Sequence, residues 1–264
     1  MEIVCLDMEG TLTEEIWQQV AEDTGIEDFA KTTRDIPSYS DLMDARLVVM
    51  EQEGITLKDI QRSSSKVKLL DGARDFLDNL RQNFQVVILS DTFHEIASPL
   101  MEKLGFPLLL CHTLNVKDGM ISSYKLRQEK AKQEAIKSFQ GLGYRCFAAG
   151  DSFNDIQMFE VCEKGFFINA PEKVTSKHPE IEVVKDYNDL EAKLLENSIY
   201  QMNKLSLKEY IRPDLELSEG ENNLLLHSCC APCAGEIMEA VAAAKLKLRF
   251  TSIIQISIRW KNMK

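Results

Sequence analysis

The chain has 264 residues, enough for one sizeable core or for one domain carrying an inserted cap and a small appendage. Its 31 basic and 42 acidic residues leave a net charge of -11, which disfavours nucleic acid as a general partner. No apolar stretch approaches the roughly 18 to 20 residues of a membrane helix, and the N-terminus enters a strand without a basic signal region, so a cytoplasmic protein with no membrane partner is expected.

In chain order, the apolar run Ile3 to Leu6 predicts a strand and is followed at once by Asp7-Met8-Glu9-Gly10-Thr11. A long excursion from residue 12 to about 71 separates it from the next run, and helical periodicity in Glu14 to Asp23 and Asp41 to Glu53 predicts an inserted helical cap. Apolar runs at 86 to 89, 108 to 111, 146 to 149 and 166 to 168 then alternate with helix-like segments, the pattern of a mostly parallel α/β sheet covered on both faces. Lys117-Asp118-Gly119 marks the turn of a hairpin within Leu114 to Leu126, and a helix from about Lys130 to Phe139 follows. Residues 198 to 221 are polar and read as a linker, after which Leu224 to Leu226 opens a separate segment, 222 to 264. Cys5, Cys111, Cys146 and Cys162 lie in or beside apolar runs and read as buried free thiols.

The chemistry gathers at strand ends. Asp7 and Glu9 follow the first strand, and Gly150-Asp151-Ser152-Phe153-Asn154-Asp155 follows the run Cys146 to Ala149. In an open parallel sheet ligands bind beyond the carboxyl ends of the strands, so these carboxylates can converge on one cation and one phosphate. Phosphoryl transfer needs an in-line nucleophile, a cation for the equatorial oxygens and a proton donor for the leaving oxygen. Asp7 is the candidate nucleophile and Glu9 the candidate acid and base. Mg2+ prefers six oxygen ligands and keeps several waters, so Asp7, the Glu9 carbonyl and Asp151 would suffice, with Asp155 supporting them from behind. Ser90, after the strand Gln85 to Leu89, and Lys132, near a helix start, are expected to bind phosphate oxygens. Gly10 and Gly150 let backbone approach closely. His94 is read as a helix opener and His112 as a strand end. Trp17, Met43, Met50 and Phe76 are assigned to packing.

Asp7 with Glu9, then Ser90, Lys132 and Gly150 to Asp155, resembles the four ordered motifs of the haloacid dehalogenase superfamily, which implies a Rossmann-like core with a helical cap. Glu9 stands where most superfamily phosphatases carry Asp. With Thr32-Thr33-Arg34-Asp35-Ile36-Pro37 and Leu89-Ser90-Asp91-Thr92-Phe93, it is similar to the bifunctional phosphoserine phosphatase/homoserine phosphotransferase subfamily. That resemblance covers residues 1 to about 197, with core 1 to 11 and 72 to 197 and cap 12 to 71. It implies a Mg2+-dependent hydrolase of phosphoserine in serine biosynthesis, with homoserine as a second phosphate acceptor. It further implies that Glu15 and Arg46 grip the substrate's ammonium and carboxylate while Ser90, Asp91, Lys132 and Asn154 line the site. A zwitterionic substrate needs one anionic and one cationic partner, and Arg offers a carboxylate a planar fork. The reading leaves open whether Glu14 or Glu15 points inward, whether water or homoserine is the acceptor, and whether the protein forms a homodimer. A phosphatase of another small phosphate ester is the rival reading.

His227-Ser228-Cys229-Cys230-Ala231-Pro232-Cys233 gathers three thiols after an apolar strand, an arrangement suited to metal or redox chemistry. From Asn222 onward the segment looks like the N-terminal motif of the iron-sulfur epoxyqueuosine reductase family, which acts in tRNA modification, and it reads as a fragment of that domain from a fusion cut short. A metal-thiolate module on Cys229, Cys230 and Cys233 is therefore the alternative function from another class.

Overall fold

The computed structural model describes residues 1–32, 35–36, 38–199, 223–226 and 247–250. The chain divides into two compact units, Met1–Gln201 and Met202–Lys264.

In the first unit, β1 (Glu2–Leu6) lies at the centre of a seven-stranded sheet. Beside it run β2 (Gln85–Phe93), β3 (Leu108–Lys117) and β4 (Met120–Lys125) on one flank. On the other run β5 (Arg145–Gly150), β6 (Lys164–Phe167) and β7 (Glu182–Val183), giving the order β4-β3-β2-β1-β5-β6-β7. All neighbours are parallel except β3 and β4. This is the mostly parallel α/β sheet that the apolar runs predict.

Alternation along the central strands feeds two cores. Val4, Leu6, Ile88, Phe147 and Ala149 face one layer, packed with Phe76, Leu80, Ile96 and Leu100. Ile3, Cys5, Val87, Leu89, Cys146 and Ala148 face the other, with Ala135, Ile136 and Met158. A strand buried on both faces needs apolar residues at every position, which is why these segments read as runs. Truncating the fully buried Phe147 would cost about 3 to 5 kcal/mol.

Among its described residues the insertion holds three α-helices, α1 (Ile16–Thr24), α2 (Tyr39–Glu53) and α3 (Leu57–Lys66), and a 3-10 turn at Glu27–Ala30. The third is absent from the sequence reading. Its buried face is Ile60, Ser63 and Ser64, and Ser64 donates its hydroxyl to the Ile96 carbonyl at 2.7 Å, so small polar residues stand where apolar periodicity was sought. A local signal existed in the reciprocal cap of Thr56 and Asp59. The core helices are α4 (Ala73–Leu80), α5 (His94–Leu104), α6 (Ala131–Gly141), α7 (Ile156–Phe159), α8 (Glu172–Thr175) and α9 (Tyr187–Asn197). The hairpin turn lies at Asp118 and Gly119, both at positive φ, 52° and 84°, as a two-residue turn between right-twisted strands requires.

Two strands outlast their expected ends. β2 continues past Leu89 to Phe93 through a register shift, and β3 continues past Cys111 to Lys117. His112 is therefore inside a strand, not at its end. The second unit contains β8 (Asn223–Leu226) paired in parallel with β9 (Lys247–Phe250). Cys229, Cys230 and Cys233, like Thr33, Arg34 and Pro37, lie outside the described residues.

Candidate active site

Three adjacent strands, β2, β1 and β5, bring Ser90, inside β2, and Asp7 and Asp151, just past the ends of β1 and β5, to one edge of the sheet. A cavity of about 530 Å³ opens there, lined among others by Asp7, Glu9, Glu15, Arg46, Asp91 and Asn154. Core and cap residues thus meet in one space.

Lys132, in the first turn of α6, is the electrostatic centre beneath it. Its Nζ lies 2.9 Å from Asp7 Oδ1 and 2.6 Å from Asp155 Oδ1, and it is only 2% exposed. Burial disfavours the ammonium, but Asp155, Asp7 and Asp91 outweigh it and hold its pKa well above the usual lysine range. Sequence reasoning gave Lys132 to the phosphate oxygens. In the structure its Nζ contacts the Asp7 and Asp155 carboxylates beneath the cavity.

Asp7, Asp151 and Asp155 each place a carboxylate oxygen within 4.8 Å of the others. Burial, then the charge of Asp155, pushes Asp151 up to about 7, and the same two causes push Asp7 well above the carboxylate range. An all-oxygen set of crowded, partly neutralised carboxylates is what a hard divalent cation would relieve, so the residues fit such an ion. Asp155 is the least free of the three. Its Oδ2 accepts from the Asp151 and Ser152 amides at 2.9 Å, and its Oδ1 accepts from Lys132. That leaves it behind the site, orienting the loop.

Two glycines make this density achievable. Gly10 has φ +75°, and a Cβ on it would sit 2.4 Å from Asp151 Oδ2. One on Gly150 would sit 2.3 Å from the Asp155 carboxylate.

Glu9 lines the same cavity and is anchored to the cap. Its Oε2 accepts from the Ile16 amide at 2.8 Å, capping α1 and fastening the core loop to the first cap helix. Burial and the nearby Glu15 raise its pKa to about 8, against the Ile16 hydrogen bond.

On the cap side, Arg46 on α2 is 6% exposed. Its Nη2 donates to the Lys31 carbonyl at 2.7 Å and the Phe29 carbonyl at 3.4 Å, and its guanidinium lies 4.3 Å over the Trp17 ring. Burial lowers its pKa to about 10. Among the described residues no carboxylate forms an ion pair with it, and its Nε has no hydrogen-bond partner. Trp17, assigned to packing, therefore also supports a cavity residue. Glu15 lines the cavity, whereas Glu14 accepts from the Lys68 amide at 3.4 Å and is absent from the lining.

Asp91 is a junction. Its Oδ2 accepts from Asn154 Nδ2 at 2.8 Å, its carbonyl accepts from the Tyr39 hydroxyl, and its Oδ1 lies 3.6 Å from His112 Nε2. Burial would raise its pKa, but Lys132, His112 and Asn154 together hold it well below the usual range. His112 also lines the cavity and is 3% exposed. Sequence reasoning set it aside because the strand was expected to stop there. His94 is exposed, away from this network.

Crowded carboxylates on one lysine at a switch point of a parallel sheet, covered by an inserted cap, define a phosphohydrolase of the Rossmann-like class. The haloacid dehalogenase-like hydrolase family matches residues 1–162, and the chain belongs to that family. It is 47% identical over 199 residues to the phosphoserine phosphatase ThrH of Pseudomonas aeruginosa, covering 75% of this chain and 97% of that protein. A solved structure of a phospho-aspartyl intermediate analogue of phosphoserine phosphatase superposes with a TM-score of 0.62 at 20% identity, over 75% of this chain and 99% of that one, a likeness of fold. The C-terminal segment is 61% identical over 41 residues to the epoxyqueuosine reductase QueH of Histophilus somni, 16% of this chain and 17% of that protein.

Proposed function

We propose that this phosphatase hydrolyses O-phosphoserine through an aspartyl phosphate on Asp7. The observation that carries the reading is the shared cavity, with carboxylates and Ser90 on its core side and Glu15 and Arg46 on its cap side. An amino-acid phosphate has matching ends: a phosphate, an ammonium and a carboxylate. Similarity to a phosphoserine phosphatase over nearly that protein's whole length supports it.

Asp7 Oδ1 is fixed by the Met8 amide at 2.8 Å and by Lys132, which leaves Oδ2 to attack phosphorus. As the Asp7 O–P bond forms, the ester O–P bond breaks, and Glu9 gives its proton to the departing serine oxygen. In the second half Glu9 takes a proton from water as the water oxygen attacks phosphorus and Asp7 leaves. Ser90 donates to a phosphoryl oxygen, and Lys132 holds Asp7 and Asp155 in place. Asp7, Asp151 and the Glu9 carbonyl, with Asp155 behind them, would hold Mg2+, which would neutralise the phosphoryl oxygens and the crowded carboxylates. Arg46 binds the substrate carboxylate and Glu15 its ammonium.

Homoserine keeps the amino-acid head of serine and adds one methylene, so the same cap groups can present its hydroxyl to the aspartyl phosphate in place of water. Phosphate release from phosphoserine with Mg2+, with and without homoserine, and analysis for phosphohomoserine test both statements. No release from phosphoserine alongside turnover of other small esters would overturn the substrate assignment.

A further inference from the structure

We propose that His112 is a positioning residue, whose Nε2–H fixes the Asp91 carboxylate and through it Asn154 at the cavity wall. The inference rests on the phosphatase reading above and extends it to a side chain that contacts neither the acidic cluster nor Ser90.

The tautomer follows from the backbone. The Arg127 amide donates to His112 Nδ1 at 3.1 Å, so Nδ1 holds the lone pair and the ring proton sits on Nε2, facing Asp91 Oδ1. The ring cannot easily swing away. Tyr39 and Phe93 flank it, each with centroids 5.9 Å distant and planes inclined by 58° and 57°.

Asp91 needs such an anchor. It lies in the stretch of β2 between Leu89 and Phe93 where the pairing with β3 shifts register, so the regular ladder does not hold it. Asn154 occupies Oδ2 and the Tyr39 hydroxyl occupies the main-chain carbonyl, which leaves Oδ1 to His112. The chain of contacts therefore runs from β3 through β2 to the loop after β5, tying the strand that presents Ser90 to the loop that presents Asp151. At 3.6 Å the His112 contact is long for a hydrogen bond, and closing by about half an ångström completes it, as catalytic contacts commonly do when substrate binds.

Two substitutions separate the two nitrogens. His112→Gln places an amide donor near the Nε2 position and loses the acceptor for Arg127, whereas His112→Asn keeps an acceptor near Nδ1 and loses the donor to Asp91. Steady-state kinetics on phosphoserine and on an aryl phosphate, with thermal midpoints measured for each variant, should show a crossover. His112→Asn should lose about 10- to 100-fold in kcat/KM with the smaller loss of stability, and His112→Gln should stay within about threefold of the parent despite the larger one. Adding His112→Asn to Asp91→Ala should cause little further loss of activity, since both remove the same contact. Activity that tracks thermal midpoint across the Asn, Gln and Ala variants, or a full additional loss in the double variant, would overturn the proposal. A parent protein active on the aryl phosphate but not on phosphoserine would instead overturn the substrate reading, and the variant series would still be read on the aryl ester.

Discussion

The core and cap sides of the cavity bury charge in opposite ways. On the core side Lys132 is closed in by Asp7 and Asp155, with Asp151 crowded beside them, so negative charge is in excess and two carboxylates are pushed toward neutrality. On the cap side Arg46 is buried against carbonyl oxygens and the Trp17 face, and Glu9 and Glu15 are close enough to favour its charged form without forming a salt bridge to it. A buried charge is costly unless compensated. The core side is therefore suited to a cation, whereas the cap side presents one cationic and one anionic group, and a zwitterionic phosphate ester together with a divalent ion would match both.

The largest expected effect tests the core side. Asp7→Asn should reduce turnover to background while the protein stays folded, because Lys132 keeps Asp155 and the like-charge crowding is relieved. Substantial residual phosphate release would remove the covalent mechanism. Glu9→Gln should lower kcat by roughly 10²- to 10⁴-fold, since the amide can still accept from Ile16 but cannot give a proton to the leaving oxygen. Rates equal to the parent's would move that role to another residue.

The cap side is tested by selectivity. Arg46→Ala should cost phosphoserine about 2 to 5 kcal/mol more in kcat/KM than an aryl phosphate lacking the amino-acid head. The variant also leaves the Lys31 and Phe29 carbonyls without their donor, so it will be less stable. The ratio between two substrates in one preparation is independent of the fraction folded, which keeps the test clean. Equal losses would make Arg46 a structural residue.

A smaller effect concerns pH and metal. Asp151, pushed to about 7 from an ordinary 3.8, favours the folded state in its protonated form. That contribution is complete below about pH 4 and is lost as pH rises through 7. Chelated protein should therefore lose stability over this interval, and Mg2+ should restore it more at pH 8 than at pH 5. At saturating ion the gain at pH 8 should be roughly 5 to 10 °C in thermal scans. An ion effect independent of pH would contradict the charge excess assigned to the core side.

The smallest expected change comes from removing residues 202 to 264, which form a compact unit of their own and carry none of the four acidic, serine and lysine motifs. Phosphatase activity should be nearly unchanged. The cut has to follow Ile199, because the buried Glu2 carboxylate accepts from the Ser198 hydroxyl at 2.6 Å and the Ile199 amide at 3.1 Å. Loss of activity on deleting from 202 would mean that the phosphatase unit extends further than proposed.

The sequence alone determined the sheet and the positions of the acidic motifs. Strands buried on both faces must be apolar throughout, and residues directly after such strands must lie at the sheet's edge, so Asp7 and Asp151 were legible from local order, whereas Ser90 lies inside β2, which runs on to Phe93. The third cap helix was not legible by periodicity, because its buried face is partly serine and is satisfied by a hydrogen bond to α5 that no local pattern encodes. Nor were the contacts of Lys132 with two carboxylates, the place of Glu15 rather than Glu14 in the cavity wall, or the junction of Asp91, Asn154 and His112. Those depend on distances between segments far apart in the chain. Residue type and spacing specify which groups can ionise or donate, whereas which of them meet, and which charge is left uncompensated, is set only when the strands and the cap pack together.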